Sequence, residues 1–419
     1  MSIRTIEVIC TGDELLLGDT LNTNLAWLGH EVASWGLRIT RESCLPDDRN
    51  ALADALRMAL GRADLVVVVG GLGPTRDDLT RPVAAEVLGC ALAPSPAVAA
   101  SIRAFLAGRR LAVPEAAIAI QSEVLVGADI LPNRNGTAPG FWCACGERVL
   151  VLLPGPPAEF QTMILEQLKP RLLSRLEPQV LRAEIQVSGI PESRVAEIVE
   201  DRDLAGCGVG YCARPEGITV RLETTPARAV VLADLAARVR AALVPYALPE
   251  GVPSLAAALG RLLGERRLTV ATAESCTGGG IAAALTDVPG CSAYFMGSVV
   301  TYANAWKRDV LGVPEEILER HGAVSGETVH AMLAGLLSRY GVDCGIAVSG
   351  IAGPDGGTIE KPVGLVVIGT AVGPERIVRP FQFRGDRAEV RRRATNAALS
   401  QLRMQLLGGA LDLPSTIHR

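Results

Sequence analysis

The sequence is poor in aromatic side chains and carries no excess of positive charge. Phe, Trp and Tyr make up 4% of the 419 residues, and 41 Lys and Arg residues stand against 45 Asp and Glu residues, for a net charge of -4. Proteins that bind single-stranded nucleic acid need aromatic platforms and a basic groove, and a polyanion is attracted by a positive field. We therefore expect no direct binding to nucleic acid.

Long apolar runs are missing as well. The longest, such as LVVVV at 65–69, have the length of a strand and fall far short of a membrane span. The first residues, MSIRTIEVICTGDELLLG, lack the charged start and the apolar core of a secretory signal. The expected protein is soluble and cytoplasmic and makes no membrane contact.

Histidine is scarce, and the cysteines are scattered. The chain has four His and ten Cys residues. The closest cysteine pairs, Cys143 with Cys145 and Cys207 with Cys212, lack the usual zinc spacing and a neighbouring His. We expect these cysteines to act as small apolar residues rather than as ligands of a structural metal.

The length suits two or three domains, and 49% hydrophobic residues supply enough material for their cores. Strand-like and helical segments alternate over 1–168, which predicts an α/β domain with a parallel or mixed sheet between layers of helices. Residues 169–250 read as a small α+β domain that ends in the Pro-rich stretch PYALPEGVP. Alternation resumes over 251–419, which predicts a second α/β domain.

Three loops of the first domain follow strands, where open α/β sheets place their sites. TGDELLLG carries Asp13 and Glu14, and GGLGPTRDDLT carries Asp77 and Asp78 beside a helix expected to begin after Pro74. Glycines at a helix N-terminus bind phosphate, and two acids there call for a divalent cation such as magnesium. Helix capping by the two aspartates is an equally open alternative. NRNGTAPG and LPGPPAEF form the third, Gly/Pro-rich group.

TVATAESCTGGG is the most informative loop of the last domain, because Ser275 and Cys276 lie between a strand and a helix. The amides of Thr277, Gly278 and Gly279 are expected at the helix N-terminus, where they would hold a developing oxyanion. A serine or cysteine beside them is placed as a nucleophile. The alternative is that Ser275 only caps the helix.

A base for that nucleophile is available without histidine. Cysteine nucleophiles usually pair with His, but His321 and His330 lie outside the glycine-rich loops. Lys307 serves if burial lowers its pKa, with Tyr302 passing or holding the proton. This logic slightly favours Ser275 over Cys276.

At this point the motifs resemble those of a known family. GDELLLG, GGLGPTRDDLT, NRNGTAPG and LPGPPAEF are followed in order by TAESCTGGG, GSVVTYANAWK, SGIAGPDGGTIEKPVG and FRGDR. This series is similar to that of the full-length CinA proteins, the competence/damage-inducible family, and it extends over essentially the whole chain. Two positions depart from the family's pattern: Ser349 stands where Thr is expected, and Asn22 stands where the family often has Asp.

The resemblance implies three domains. The first is similar to the molybdopterin-binding fold and is associated in the family with metal-dependent ADP-ribose pyrophosphatase activity. The middle one is similar to a KH-type fold, but it lacks the G-x-x-G loop that clamps RNA. The last is similar to nicotinamide mononucleotide (NMN) amidohydrolase, which releases ammonia and nicotinate mononucleotide.

The resemblance also assigns roles at the amidase site. Ser275 is the implied nucleophile, with Tyr302 and Lys307 as its partners and Thr277 and Gly278 as oxyanion donors. Three further residues are expected to bind substrate: Gly353, Lys361 and Arg387, with Arg391 as the alternative to Arg387 near the phosphoribosyl end. No cofactor is expected at this site.

In the N-terminal domain the resemblance implies attack of a metal-activated water on a pyrophosphate. The metal-binding residues are expected to be Asp77 and Asp78, then Glu14 and Asp13. Substrate is expected to contact the glycine-rich loops at Gly71, Gly73, Thr75 and Asn135. The family also implies a homodimer. Three alternatives stay open: an N-terminal domain that only binds nucleotides, a protein-interaction role in DNA uptake or recombination, and molybdopterin binding.

Overall fold

The computed structural model describes residues 2–214 and 216–409. They form two compact units, one running up to Arg182 with Thr224–Ala229 added, and one made of Ala183–Glu223 and the chain from Val230 onward. The division into three domains at 168 and 250 stays a prediction. In the described ranges, no helix has both the length and the apolar character needed to cross a bilayer.

Strands and helices of the first unit largely alternate up to residue 121, as the sequence predicts, and four strands then follow in succession. Its strands are β1 (Ile6–Thr11), β2 (Ile39–Leu45), β3 (Leu65–Val69), β4 (Leu92–Pro94), β5 (Glu123–Leu125), β6 (Asp129–Leu131), β7 (Gly140–Cys145) and β8 (Arg148–Leu153). Its helices are α1 (Asp13–Leu17), α2 (Thr23–Ser34), α3 (Arg49–Arg62), α4 (Thr80–Leu88), α5 (Pro96–Gly108), α6 (Glu115–Gln121), α7 (Pro157–Met163) and α8 (Lys169–Leu172), with a π-helical turn at Ile164–Leu168.

Six of these strands form one mixed sheet in the order β2-β1-β3-β8-β7-β6. β1 pairs in parallel with β2 and β3, and β3 pairs in parallel with β8, whereas β7 and β6 continue the sheet antiparallel. Every residue of β3 is buried, as expected for an apolar strand covered on both faces. In the β1–β2 register Cys10 lies opposite Cys44.

The second unit contains two sheets, a three-stranded one and, nearer the C-terminus, a five-stranded one. Its strands are β9 (Leu181–Val187), β10 (Gly208–Arg214), β11 (Gly217–Thr224), β12 (Val270–Glu274), β13 (Phe295–Val300), β14 (Cys344–Gly350), β15 (Leu365–Val372) and β16 (Glu375–Gln382). Its helices are α9 (Glu192–Glu200), α10 (Ala229–Ala242), α11 (Leu255–Arg266), α12 (Gly280–Thr286), α13 (Asn304–Leu311), α14 (Glu315–His321), α15 (Gly326–Tyr340) and α16 (Arg387–Leu406), with a short 3-10 turn at Cys291–Ala293. A second 3-10 turn, Pro226–Arg228, belongs to the segment that is part of the first unit.

The C-terminal sheet has the order β13-β12-β14-β15-β16. β12 pairs in parallel with β13 and β14, and the hairpin strands β15 and β16 extend the sheet antiparallel. The smaller sheet has the order β10-β11-β9. The fold is therefore the expected α/β class, with mixed rather than wholly parallel large sheets.

Helix α16 makes polar contacts with the residue that follows β9 and with the Pro-rich stretch before α11. The hydroxyls of Ser188 and Ser400 lie 2.6 Å apart. Arg403, which is 5% exposed, donates to the carbonyl oxygens of Pro245 at 3.0 Å and Ala247 at 2.9 Å. The Pro-rich stretch predicted to be a linker is thus held by hydrogen bonds to the last helix.

Candidate functional site

Ser275 is the first residue after β12, the strand between β13 and β14. All five residues of β12 are buried, and the Ser275 amide donates to the carbonyl of Val348 on β14 at 3.0 Å. Gly278 and Gly279 then adopt φ values of +61° and +90°, a backbone region that suits glycine. This turn fixes Ser275 at the carboxyl edge of the sheet, where the sequence predicted a site.

Lys307 reaches Ser275 from α13 and is 1% exposed. Its Nζ lies 3.2 Å from Ser275 Oγ, 2.9 Å from the carbonyl oxygen of Thr301 and 3.0 Å from that of Tyr302. Burial removes water from the ammonium group and lowers its pKa. The predicted nucleophile and base are therefore in direct hydrogen-bonding contact.

Cys276 points into the core instead. It belongs to the apolar cluster packed between α11 and α16, and burial raises the pKa of its thiol to about 12. At neutral pH it is a protonated, inaccessible thiol, which is a poor nucleophile.

Glu274, which the sequence analysis did not single out, is 0% exposed at the end of β12. Its carboxylate accepts from Thr277 Oγ1 at 2.8 Å and from the amides of Ala282 at 2.9 Å and Ile281 at 3.1 Å. Two longer bonds come from Thr272 and Ser298. The first amides of α12 are thus already occupied by a side chain of the protein, and the only hint in the sequence was an acid directly before the serine.

The predicted oxyanion donors lie beside Ser275 in the same turn. Thr277 is buried, and its carbonyl oxygen accepts from Arg391 Nη2 at 2.8 Å. The Gly278 amide donates to the Ser275 carbonyl oxygen at 3.0 Å, which closes the turn. The helix begins at Gly280, later than the sequence suggested.

Arg387 joins two of the other predicted residues. Its guanidinium donates to the Tyr302 hydroxyl at 3.0 Å and to the Gly353 carbonyl oxygen at 2.8 Å. The Tyr302 side chain is 59% exposed, so Lys307 contacts this residue through its backbone and Arg387 contacts its ring hydroxyl. Lys361 is turned to a different partner and donates to the carbonyl oxygen of His321 at 2.6 Å.

The first unit contains a separate cavity of about 420 Å³ at the carboxyl ends of β1, β3 and β8. Its lining includes five of the residues predicted from the sequence: Glu14, Gly71, Gly73, Asp77 and Asp78. The other three have partners beside it. The Asp13 amide donates to Asp47, Thr75 donates to Asp78, and Asn135 donates to the carbonyl of Ala158 and the hydroxyl of Thr162.

Asp78 holds the glycine-rich loop together. Its carboxylate accepts from the amides of Gly73 at 2.7 Å and Thr75 at 2.8 Å and from the Thr75 hydroxyl at 2.5 Å. The loop continues to Leu79, and α4 begins at Thr80 rather than directly after Pro74. The expected helix start is wrong because these amides are satisfied by a carboxylate that folds back over the loop.

Two further acids line the cavity, although the sequence analysis did not single them out. Asp47 follows β2 and accepts from the Thr11 hydroxyl at 2.7 Å. Glu159 accepts from Asn133 Nδ2 at 2.6 Å, and burial raises the pKa of its carboxyl. A Cβ at Gly136 would overlap the Glu159 carboxylate, so a larger residue there would displace this side chain.

A divalent cation in this cavity would need oxygen ligands gathered around one point. Among residues 2–214 and 216–409, however, no three side chains of His, Cys, Asp or Glu are grouped so as to hold a metal ion. Asp78 is engaged by the loop, and Asp77 accepts from Thr75, which lowers its pKa. The residues present therefore do not fit an ion held by the protein alone.

Comparison with known proteins supports two family assignments along the chain. Residues 7–174 match the model of the probable molybdopterin binding domain, and residues 252–406 match that of the CinA C-terminal domain. A solved structure of the competence/damage inducible protein CihA from Agrobacterium tumefaciens is 41% identical over 38% of this chain and 98% of its own, with a TM-score of 0.36.

Relatives of similar length extend over nearly all of the sequence. A putative competence-damage inducible protein of Desulforudis audaxviator is 42% identical over 402 residues, which are 94% of this chain and 97% of that protein. A CinA-like protein of Synechococcus sp. is 40% identical over 419 residues, 97% of this chain and 99% of its own. On this evidence the chain belongs to the CinA family of competence-damage inducible proteins.

Proposed function

We propose that the C-terminal part of the protein hydrolyses the carboxamide of NMN with Ser275 as nucleophile. The observation that carries this proposal is the 3.2 Å approach of Lys307 Nζ to Ser275 Oγ inside the protein. A serine–lysine pair needs no histidine and no metal to generate an alkoxide. The identity of the amide rests on the family resemblance.

The contacts of Lys307 accommodate the neutral amine that the reaction requires. A neutral amine has two N–H donors and one lone pair, and the carbonyl oxygens of Thr301 and Tyr302 accept two hydrogens at 2.9 and 3.0 Å. The lone pair then faces Ser275 Oγ and accepts the hydroxyl proton. Burial, which lowers the pKa of Lys307, favours this neutral form.

The reaction follows from that proton transfer. Ser275 Oγ bonds to the carboxamide carbon as its proton moves to Lys307, and the carbonyl oxygen takes up negative charge. The proton then passes to the leaving nitrogen, ammonia departs, and the acyl group stays on Ser275. A water molecule, deprotonated by Lys307, hydrolyses the ester and releases nicotinate mononucleotide.

Thr277 and Gly278 remain the proposed oxyanion donors. Because the Gly278 amide donates to the Ser275 carbonyl, an oxyanion has to compete with or share this bond. Arg387 is the proposed partner of the substrate phosphate. It is exposed and sits between Tyr302 and Gly353, whereas Arg391 is directed at the Thr277 carbonyl.

For the N-terminal unit we propose hydrolysis of the pyrophosphate of ADP-ribose to AMP and ribose 5-phosphate. The cavity of about 420 Å³ and its glycine-rich loop support a phosphate-containing ligand. The divalent cation expected for this reaction would arrive with the pyrophosphate, because magnesium is commonly held by one or two carboxylates together with substrate oxygens. Asp77 and Glu14 are the exposed carboxylates of the lining.

A second candidate for this unit is nucleotide binding without turnover. It is favoured by Asp78, whose carboxylate is already used to shape the loop. Incubating the full-length protein with ADP-ribose, with and without magnesium, and measuring AMP by chromatography decides between the two. Tight binding without AMP would support the second candidate.

We further propose that the ligands are these small nucleotides and that the chain forms a homodimer. Light scattering of the purified protein tests the assembly. A monomer at micromolar concentration would contradict it.

The test of the amidase compares ammonia release from NMN by the wild type, Ser275→Ala and Cys276→Ala, with EDTA present. We expect turnover by the wild type and by Cys276→Ala and none by Ser275→Ala. If Cys276→Ala alone is inactive, the thiol is the nucleophile. A silent wild type would leave the C-terminal part as a binding module or an enzyme for another amide.

A further inference from the structure

We infer that Cys10 and Cys44 form a reversible disulfide at the wall of the N-terminal cavity. The two residues are aligned partners on the adjacent parallel strands β1 and β2. Adjacent strands lie about 4.8 Å apart, and disulfides span Cα–Cα distances of roughly 4.4–6.8 Å. In the structure both are free thiols.

Their side chains lie on the same face of the sheet. Cys10 is part of the apolar cluster beneath α2, and Cys44 packs against that same cluster. Cys143 and Cys145, in contrast, lie opposite Leu150 and Arg148 on β8. The alignment of two cysteines across neighbouring strands therefore sets this pair apart from the CAC sequence that first attracts attention.

The pair has an accessible member and a buried one. Cys44 is half-buried, whereas Cys10 is 1% exposed. Oxidation by a low-molecular-weight disulfide starts with the Cys44 thiolate, which attacks one sulfur of the oxidant and releases the first small thiol. Burial raises the pKa of both thiols, that of Cys10 to about 11, so each attack proceeds through a small thiolate fraction and oxidation is slow at neutral pH. In the second step Cys10 loses its proton, attacks Cys44 Sγ and releases the second small thiol. Two protein thiols are oxidised, one small disulfide is reduced to two thiols, and the two protons appear on those thiols.

Closure of this bond changes the cavity. Cys10 lines it together with Asn22, whose side-chain amide donates to Cys10 Sγ at 3.2 Å. The Asn22 carbonyl oxygen caps α2 by accepting from Leu25 at 3.1 Å. A disulfide redirects Cys10 Sγ towards β2 and takes the acceptor from Asn22, at the N-terminus of a helix that borders the cavity. We expect impaired turnover there, and this consequence rests on the proposed ADP-ribose hydrolysis, whereas the disulfide does not.

The experiment treats the folded full-length protein with oxidised glutathione, alkylates the remaining thiols and maps tryptic peptides by mass spectrometry. Trypsin places the two cysteines on separate peptides, 5–38 and 42–49, each with one cysteine. We expect these peptides to be joined with the loss of two hydrogens and separated again by dithiothreitol. In parallel, ADP-ribose hydrolysis should fall roughly tenfold or more and recover on reduction, because small displacements in a site cost rate steeply.

Two variants separate this pair from other thiols. Cys44→Ser should hydrolyse ADP-ribose at the basal rate, and oxidised glutathione should not lower this rate. Cys145→Ser should lose and recover activity as the wild type does. The inference would be overturned if Cys10 and Cys44 both remain open to alkylation. It would also be overturned if they form only mixed disulfides with glutathione. If the reduced protein does not hydrolyse ADP-ribose, the proposed activity fails and the peptide map still decides whether the disulfide forms.

Discussion

The chemistry proposed for the Ser275 site depends on one buried lysine. Burial removes water from the ammonium group of Lys307, whose hydrogen-bond partners are two backbone carbonyls and a hydroxyl. The charged form is therefore disfavoured, and the pKa falls. Tyr302 contributes its backbone carbonyl to this environment, and its hydroxyl accepts from Arg387. Of the two predicted routes for the proton, directly to Lys307 or through Tyr302, the contact between Lys307 and Ser275 favours the direct one.

This environment gives NMN deamidation a defined pH dependence. Only neutral Lys307 accepts the proton of Ser275, so kcat/KM should rise with pH as Lys307 loses its proton. Because the pKa is lowered, the midpoint should lie below about 10.4, where an exposed lysine titrates. The measurement is the initial rate of ammonia release between pH 6 and pH 10, at NMN concentrations that increase in order-of-magnitude steps.

The matched control for that profile is Arg308→Ala, which removes an exposed cation from the next position of α13. Its profile should coincide with that of the wild type. Lys307→Arg should abolish turnover at every pH, since a guanidinium stays protonated. An active Lys307→Arg variant would exclude Lys307 as the base.

Glu274 is a second residue whose removal should be costly. Its carboxylate accepts bonds from Thr277 and from the first amides of α12, and a glutamine cannot accept at both of its terminal atoms. We expect Glu274→Gln to lower the free energy of unfolding by about 1–3 kcal/mol and to reduce deamidation. Urea unfolding measures the first effect. Glu265→Gln, at a 56% exposed side chain, is the control and should change neither quantity.

At the scale of elements, the glycine-rich loop between β3 and α4 is shaped by its own acid. Asp78 closes it through the amides of Gly73 and Thr75. Asp78→Ala leaves these amides without their acceptor, and we expect ADP-ribose hydrolysis to fall at least about tenfold. Deamidation of NMN by the same variant should be unchanged, and Asp54→Ala, at an exposed position of α3, should change neither activity. Normal ADP-ribose hydrolysis by Asp78→Ala would show that the loop does not bind the pyrophosphate.

Elements with strong periodicity were predictable, and those defined by long-range pairing were not. The all-apolar LVVVV strand and the helices that flank it follow from local sequence. β10 and β16 show no continuous apolar run, and they are stabilised by pairing with β11 and β15.

The site was predictable to a similar extent. The proximity of Ser275 and Lys307 could be anticipated because a serine at a strand-to-helix turn and a lysine after the neighbouring strand suit a nucleophile and its base. Glu274 and Glu159 were missed because burial of an acid, and the donors that compensate it, depend on segments far apart in sequence. The hydrogen bond from the Gly278 amide to the Ser275 carbonyl could not be predicted, because it is made by backbone atoms and does not depend on residue type alone.

At the scale of the whole molecule, the two proposed activities should separate cleanly. EDTA should abolish ADP-ribose hydrolysis, if the cation arrives with the substrate, and should leave NMN deamidation intact. Ser275→Ala should show the converse pattern. Parallel assays of AMP and ammonia on the same preparations measure both. Loss of deamidation in EDTA would mean that the amidase reaction is not one of a serine and a lysine alone.

The contacts of Arg403 affect where a stable C-terminal fragment of the protein can begin. Its buried guanidinium is satisfied by the carbonyls of Pro245 and Ala247, and the next residue, Leu248, donates its amide to Gln186 at 2.7 Å. A fragment beginning at 251 would strip those acceptors from a charge that is 5% exposed, whereas one beginning at 183 would keep them. The Pro-rich stretch supplies hydrogen-bond acceptors to the last helix, and we therefore expect a fragment that begins at 183 to resist urea better than one that begins at 251.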